Sequence, residues 1–234
     1  MKPMYKIFIL FLIIVTYLPS CVSPESKEQS EKDLIYLAGE KHDSGEYRES
    51  IEILNKAIKL DPENILAYIN RAASKTKLKD IDGAIKDCER VVDLDPKNML
   101  AHFNLGQHFE TKENYEKAIE HYTYAESANR SAPKIKLIVT NPDGSSNEGP
   151  DYSIAIGDIS YYRAMAYMKN NNFKEAILDL DFCVSINYFL DYTFCRLGEC
   201  YQKLGDQKEA CKYFIMSQEK GFKEADSLYT KYCQ

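Results

Sequence analysis

Cysteine and histidine are the residues of this chain that could perform metal or covalent chemistry, and their spacing limits that chemistry. The 234 residues include seven cysteines and four histidines. No two histidines have the spacing of a metal-binding helix, and no glycine-rich phosphate loop or nucleophile motif occurs. We therefore predict a protein that is not an enzyme and has no catalytic residue, no metal and no cofactor. The histidines are His42, His102, His108 and His121.

Four cysteines are concentrated after residue 194, where they could form a covalent staple: Cys195, Cys200, Cys211 and Cys233. Disulfides form in exported proteins, so a bridge among these four would fasten the end of the chain. Free thiols are the alternative. The six cysteines other than Cys21 allow 15 complete pairings, and the sequence does not select one. Cys88 and Cys183 occupy apolar helical positions and are expected to be buried.

The first twenty residues have the pattern of a secretory signal peptide. Two lysines precede an apolar run from Ile7 to Leu18, which is shorter than the ~20 residues that a membrane-spanning helix needs. The following Leu-Pro-Ser-Cys resembles the bacterial lipoprotein box. That resemblance implies that residues 1–20 are removed and that Cys21 becomes the lipidated first residue, carrying fatty acids such as palmitate. An ordinary signal peptide with an incidental cysteine, or an uncleaved anchor, is the alternative.

Residues 21–32 are polar and lack apolar periodicity, which predicts a flexible tether between a lipid anchor and a folded domain. The expected location is extracytoplasmic, with the lipid anchor in the bacterial cell envelope. Val22 is not an acidic retention signal, which favours the outer membrane over the inner one. The formal charge of −6 would become −8 without the two lysines of the signal peptide. An acidic chain binds nucleic acid poorly, so the expected partner is a protein or peptide.

Small residues recur through the rest of the chain at a fixed interval. Ala72 and Ala84 lie twelve residues apart, and the first position of this pair recurs at residues 38, 72, 106, 164 and 198. The steps are 34, 34, 58 and 34, and the long step is one period plus an insertion of 24. Each unit contains two apolar-periodic runs around a polar turn, which predicts two antiparallel helices. Small facing residues let two helices approach to roughly 8–10 Å.

This period resembles that of the tetratricopeptide repeat. The segments that open the second helices read SGEYRES, KDIDGA, ENYEKA, NNFKEA and GDQKEA, although tryptophan is absent and Ser50 replaces the usual alanine. The resemblance implies an all-α fold, a right-handed α-solenoid of stacked antiparallel helix pairs. Its expected parts are repeats 1–3 at 33–130, an insertion at 131–156, repeats 4–5 at 157–222 and a capping helix at 223–234.

The insertion has the features of extended structure. The segment from Ile135 to Thr140 contains several β-branched residues in an alternating pattern, which is typical of a strand. It is followed by a turn sequence, Asn141-Pro142-Asp143-Gly144. One interpretation is a loop with a short extended segment that lies over the array. The other is a hairpin-like arm that helps to recognise a partner.

The resemblance also implies a groove, lined by the first helix of each unit, that binds a peptide or helix of a partner. Only Asn70 matches the five positions with which some relatives grip a C-terminal carboxylate, so we do not expect that mechanism. The alternatives are a structural subunit of an envelope assembly, which would use its convex face and insertion, and an envelope enzyme or small-ligand receptor. The sequence does not predict an oligomeric state. The expected groove residues are Ile35, Tyr36, Ile69, Asn70, Phe103, Asn104, Gln107, Tyr161, Tyr162, Met165, Tyr192, Arg196 and Glu199.

Overall fold

The computed structural model describes residues 24–131, 138–140, 146–148 and 156–234, and most of them are helical. Two three-residue strands are present, β1 (Ile138–Thr140) and β2 (Ser146–Glu148). The helices of these ranges are α1 (Pro24–Asp43), α2 (Tyr47–Leu60), α3 (Ile65–Lys77), α4 (Ile81–Leu94), α5 (Met99–Thr111), α6 (Tyr115–Ser131), α7 (Ile156–Lys169), α8 (Phe173–Ser185), α9 (Leu190–Leu204), α10 (Gln207–Glu219) and α11 (Lys223–Cys233).

Consecutive helices pair into five units that stack along the chain. Unit 1 is α1 with α2, unit 2 is α3 with α4, and so on to unit 5, which is α9 with α10. Each helix packs mainly against the helix before it and the helix after it. An array of this kind builds its core from neighbour contacts alone. The predicted all-α solenoid of stacked helix pairs is therefore confirmed.

The recurring small residues lie at the contact between the two helices of each unit. Ala72 and Ala84 are 1% and 0% exposed, and the equivalent positions of the other units are buried as well. A larger side chain at these positions would push the two helices apart, because interiors are closely packed. The period in the sequence is thus the period of this contact.

Each unit turns between its two helices at a residue with left-handed backbone geometry. Gly45 and Gly205 hold this position in units 1 and 5, with φ of 80° and 83°. Lys79, Glu113 and Asn171 hold it in units 2, 3 and 4, with φ of 64°, 58° and 61°. All five lie seven residues after the first small position. A left-handed residue is a common way to end a helix, so the turn is part of the repeat.

Prolines follow the ends of the first two units, where the residue before each proline is kept out of helical geometry. α2 and α4 stop immediately before Asp61-Pro62 and Asp95-Pro96. The side chain of Asn64 then accepts a hydrogen bond from the amide of Ala67, at 2.9 Å, and so caps the first turn of α3. An asparagine cap of this kind satisfies a backbone donor that has no partner within the helix.

The flexible tether predicted over residues 21–32 is wrong from Pro24 onward, where α1 has already begun. Proline is well accepted in the first turn of a helix, and the glutamates, lysines and glutamine that follow it are good helix formers. Glu31 is also buried and accepts a hydrogen bond from the side chain of Asn64. Polar composition was therefore misread as a lack of structure.

The insertion contains an antiparallel pair of strands, in which Val139 lies opposite Asn147. The pairing gives the segment a hairpin-like form, and a role in recognising a partner stays a prediction. The predicted turn at Asn141 to Gly144 lies outside the described residues, as do the signal peptide and Cys21. In the described ranges, no helix is both long enough and apolar enough to cross a bilayer.

Candidate functional site

The predicted groove residues all lie on the first helices of their units, which are α1, α3, α5, α7 and α9. Tyr36, Tyr192 and Tyr162 are the most open of the aromatic side chains among them, at 48%, 44% and 36% exposed. A tyrosine in this setting offers both a ring face and a hydroxyl to a partner. The first helices therefore present a surface on which a chain could lie.

Two of the predicted groove residues are core residues instead. Ile69 is only 6% exposed and packs with Val91 and Ala101. Phe103 is 8% exposed, and its ring centroid lies 5.5 Å from that of Tyr162 in an edge-on contact. Both side chains fill the space between successive units, so they support the surface and present little of it to a partner.

A first hollow opens between units 2, 3 and 4 and has a volume of about 540 Å³. Gln107 and Tyr162 are the predicted groove residues that reach it. Its other lining residues are mostly polar, which suits a hydrated, hydrogen-bonding contact. They are Thr76, His108, Glu110, Thr111, Glu113, Tyr115 and Lys169.

Burial shifts the pKa values of two side chains that line the first hollow, Glu110 and His108. The hydroxyl of Tyr122 donates to Glu110 at 3.0 Å, but burial outweighs this bond and raises the pKa of Glu110 above its ordinary value. Burial also lowers the pKa of His108 below its ordinary value, which favours a neutral imidazole at pH 7. The first hollow therefore offers two hydrogen-bonding groups, the neutral imidazole of His108 and the partly buried carboxyl group of Glu110.

A second hollow, of about 270 Å³, lies between units 4 and 5 and the terminal helix α11. Met165, Arg196 and Glu199 are the predicted groove residues that line it. Lys169 lines both hollows. The remaining lining residues of the second hollow are Met168, Asn171, Phe173, Gln202, Lys203, Leu228 and Tyr232.

Arg196 carries the largest set of ionic contacts in the second hollow. It donates to Glu199 at 2.5 Å and to Glu224 of α11 at 3.3 Å. Burial alone would lower the pKa of Arg196, but these carboxylates raise it above its ordinary value, so the guanidinium stays charged. Its Nε is buried and has no hydrogen-bond partner among the described residues. The contact with Glu224 thus ties α9 to the terminal helix at this hollow.

A disulfide holds α11 against unit 5. Cys211 of α10 is bonded to Cys233 of α11, with a Cα–Cα distance of 5.7 Å. The other two cysteines of the predicted cluster, Cys195 and Cys200, are fully buried thiols, and burial raises the pKa of each to about 12. They lie on the core side of α9, where Cys211 and Cys233 do not reach them. Thiols with such pKa values are chemically inert at pH 7.

The histidines do not form a metal site. His102 donates from Nε2 to the carbonyl of Pro96 at 3.2 Å, and its Nδ1 lies 3.1 Å from Nδ1 of His121 in a second hydrogen bond. His121 also stacks on Phe109, with ring centroids 5.4 Å apart. Within the described residues, no group of three histidine, cysteine or acidic side chains could hold a metal ion. The histidine pair is therefore a packing and hydrogen-bonding element.

Two lysines that sequence reasoning missed belong to the candidate site. Lys169 and Lys203 are 34 residues apart and hold the same position in units 4 and 5. Applying the repeat register to charged residues as well as to small ones would have found them. Leu228 and Tyr232 were also missed, because α11 was expected to cover the end of the array and not to form a wall of the groove.

Three models of repeat families match the chain. A TPR repeat model matches residues 40–78, and two tetratricopeptide repeat models match residues 74–133 and 192–215. Stress-induced-phosphoprotein 1 of Caenorhabditis elegans is 36% identical over 69 residues, which are 29% of this chain and 20% of that protein. The human small glutamine-rich tetratricopeptide repeat-containing protein beta is 46% identical over 43 residues, 18% of this chain and 14% of that protein. The chain thus spans a fifth or less of these curated relatives.

Solved structures share the fold at low sequence identity. YrrB, described as a TPR protein with an unusual peptide-binding site, superposes with a TM-score of 0.68 at 14% identity, covering 88% of this chain and 94% of its own. MamA superposes with a TM-score of 0.67 at 18% identity, covering 88% and 96%. The 34-residue period, the helix pairs and the matching family models agree, and the chain belongs to the tetratricopeptide repeat family.

Proposed function

We propose that this protein is a non-catalytic adaptor that binds a peptide or helix of a partner protein along the first helices of its units. Proteins of this repeat family are interaction scaffolds, which supports binding without chemistry. The observation that carries the proposal is the pair of hollows along the first helices, which share Lys169 as a lining residue. A preformed surface of this kind costs little ordering on the adaptor's side, so mainly the partner segment loses entropy on binding.

A crosslinking pull-down from cells that produce the protein tests this proposal. The groove variant is Gln107→Ala, Tyr162→Ala and Met165→Ala, which removes side chains from both hollows. The matched control is Leu178→Ala and Ile215→Ala, two exposed apolar side chains on the second helices α8 and α10. We expect the groove variant to lose a partner that the wild type and the control retain, while circular dichroism shows that all three proteins are folded.

A structural subunit that uses its convex face is the second candidate function. Leu178 favours it, because this side chain is 71% exposed on a second helix. Large apolar side chains that are this exposed are often part of an interface when they form a patch. Loss of partners from the Leu178→Ala and Ile215→Ala variant, with the groove variant unaffected, would replace the first proposal with this one.

We further propose that the adaptor is held at the bacterial cell envelope by lipid on Cys21. The support is the signal-like sequence of residues 1–20 and the lipoprotein-like Leu-Pro-Ser-Cys that ends at Cys21. Metabolic labelling with a palmitate analogue, followed by membrane fractionation, tests the anchor. The wild type should carry label and sediment with membranes, whereas Cys21→Ser should be unlabelled and soluble. Equal labelling of the two proteins would contradict the proposal.

A further inference from the structure

We propose that the disulfide between Cys211 and Cys233 is a redox switch that docks or releases the end of α11, and with it one wall of the second hollow. The bond joins α10 to α11 across a sequence separation of 22 residues. A dithiol reductant opens the switch, and reoxidation closes it. The release of α11 concerns the fold alone, whereas its consequence for binding rests on the proposed function.

The repeat register places this bond where the other units have an apolar contact. Directly after the second small residue, units 1 to 4 have isoleucine and unit 5 has Cys211. The isoleucines are Ile51, Ile85, Ile119 and Ile177. Ile177, for example, lies in one apolar cluster with Phe194 and Leu197 of α9, the first helix of the next unit. Since α11 follows unit 5 as a first helix would, a reducible bond replaces the apolar contact between units.

The other contacts of α11 lie in its first half. Within residues 223–234, all of which the structure describes, Ala225 alone is fully buried. Glu224 and Asp226 form polar contacts with α9 and α10. In the second half, Leu228 and Tyr232 are only half-buried. A helix of 11 residues is marginal in water by itself, so the last turns of α11 depend on the bond to stay in place.

The bond is within reach of a reductant. Cys211 and Cys233 are half-buried, whereas the free cysteines of the described ranges are fully buried. Accessible disulfides are more labile than buried ones. Because few other contacts hold the end of α11, the two thiols separate once they are reduced. Reduction and release therefore favour each other.

The switching step is a thiol–disulfide exchange. A thiolate of the reductant attacks one sulfur of the bond, forms a mixed disulfide with that cysteine and displaces the other cysteine as a thiolate. The second thiol of the reductant then breaks the mixed disulfide and forms the reductant's own disulfide. The protein gains two electrons and two protons, so Cys211 and Cys233 both end as thiols.

The second hollow is the region that the switch changes. Leu228 and Tyr232 of α11 line it together with Met165 and Met168 of α7. Both methionines are half-buried while α11 is docked. Release of α11 takes away two lining side chains and opens the methionines to water. The hollow thus offers a partner an enclosed contact only in the oxidised protein.

Hydrogen exchange, followed by mass spectrometry, tests the release in buffers of reduced and of oxidised glutathione. We expect the second half of α11 to exchange at least about tenfold faster in reduced glutathione, while α7 and α8 are unchanged. Cys211→Ser/Cys233→Ser is the control, because its exchange should not depend on the buffer. A bond that stays intact in reduced glutathione, or an α11 that stays protected after reduction, would overturn the inference.

Methionine oxidation by hydrogen peroxide tests the hollow without any ligand. Met165 and Met168 should become sulfoxides at least about threefold faster in Cys211→Ser/Cys233→Ser than in the oxidised wild type. Met99 of α5 is the internal reference, because it is also half-buried but lies in unit 3. Equal rates at Met165 and Met168 in the two proteins would mean that α11 keeps its place without the bond, contrary to the inference.

The crosslinking pull-down, repeated in both glutathione buffers, separates the switch from the adaptor function. Loss of the partner in reduced glutathione supports both. A partner captured equally in the two buffers, although α11 is released, would overturn the control of binding by the bond and leave the adaptor function intact. Release of α11 with no groove-dependent partner in either buffer would overturn the adaptor function and support the switch alone.

Discussion

Units 2 and 4 join their two helices through an ion pair, whereas units 3 and 5 use apolar and aromatic side chains at the same positions. Arg163 of unit 4 donates to both carboxylate oxygens of Asp179, at 2.7 and 2.6 Å. Arg71 and Asp87 repeat this two-point contact in unit 2, at 2.9 and 2.6 Å. Each arginine immediately precedes the small residue of its unit, and each aspartate follows sixteen positions later.

The aromatic units fill these positions differently. Leu105 and His121 occupy them in unit 3, and Leu197 and Tyr213 occupy them in unit 5. Leu105 and Leu197 are both 0% exposed, so no charge is buried at this contact. The ring of Tyr213 instead stacks on a neighbouring tyrosine of its own unit, Tyr201, at a centroid distance of 5.5 Å.

The small position shows the same division. In units 3 and 5 it holds a glycine that faces a ring, and a Cβ on Gly198 would lie 2.6 Å from the ring of Phe214. In unit 4 it holds Ala164, and the position of the ring holds Leu180. A smaller residue on one helix thus accompanies a larger residue on the other. Side chains at this contact vary in pairs, which keeps both volume and charge balanced within a unit.

Removal of one ionic partner should have the largest effect. Asp179→Ala would leave the buried Arg163 with Glu126 but without its two-point partner, and we expect a loss of about 3–5 kcal/mol in the free energy of unfolding, measured with urea. The double variant Arg163→Leu/Asp179→Tyr introduces the pair found in unit 5 and should recover most of that loss. A double variant less stable than Asp179→Ala would show that the two kinds of unit are not interchangeable.

Loss of the disulfide should destabilise unit 5 and the adjoining helix α11, and leave the ionic unit 4 unaffected. Cys211→Ser/Cys233→Ser removes a crosslink over 22 residues, which is worth about 3 kcal/mol in the chain-entropy treatment. Hydrogen exchange should become faster in α10 and α11, while α7 and α8 of the ionic unit 4 keep their protection. Equal acceleration in both units would mean that the array unfolds as one block.

A methyl group at the glycine of unit 5 should cost about 1–3 kcal/mol in unfolding free energy. In Gly198→Ala the new Cβ would collide with the ring of Phe214. Adding Phe214→Leu recreates the Ala164 and Leu180 pair of unit 4, and we expect part of the stability to return. Gly39→Ala is the control, because a Cβ there meets nothing within 4 Å, and a helical alanine should stabilise by roughly 0.5–1 kcal/mol.

The last expected effect is a pH dependence that arises in unit 3. Burial, with His102 and Lys117 nearby, lowers the pKa of His121 from 6.5 to about 4. His121 therefore binds a proton less tightly in the folded protein than in the unfolded chain. Its contribution to the free energy of unfolding is greatest above pH 6.5 and falls as the pH drops from 6.5 to about 4. His121→Ile gives unit 3 the residue type that unit 1 has at this position, Ile53. The urea concentration at the unfolding midpoint should then change less with pH over this window than it does in the wild type. If the midpoint depends on pH equally in the variant and the wild type, the effect does not come from His121.

The fold could be predicted because it depends on one repeated contact. Small residues twelve positions apart fix where two helices touch, and the period then fixes how units stack. The ionic units were not predictable in the same way. An arginine such as Arg163 at a position where other units have leucine interrupts the apolar pattern, and its aspartate is identified only when the two helices are aligned in space.

The candidate site was predictable in part. The helices that carry it followed from the register, but Ile69 and Phe103 turned inward, because burial depends on how the next unit packs and not on position within one unit. The disulfide required a distance, since four nearby cysteines allow several pairings. Residues 24–32 were misread because polar composition describes a tether and an exposed helix equally well.

The contact between Arg163 and Glu126 has a consequence for the engineering of this protein. It joins α7 to α6 across the 132–155 connection, at 2.6 Å, so these two units remain in register although their connection is much longer than the four residues between α2 and α3. For a flexible loop, lengthening from four to 24 residues costs only about 1.6 kcal/mol in closure entropy. A reporter domain or epitope grafted into this connection should therefore leave the solenoid intact.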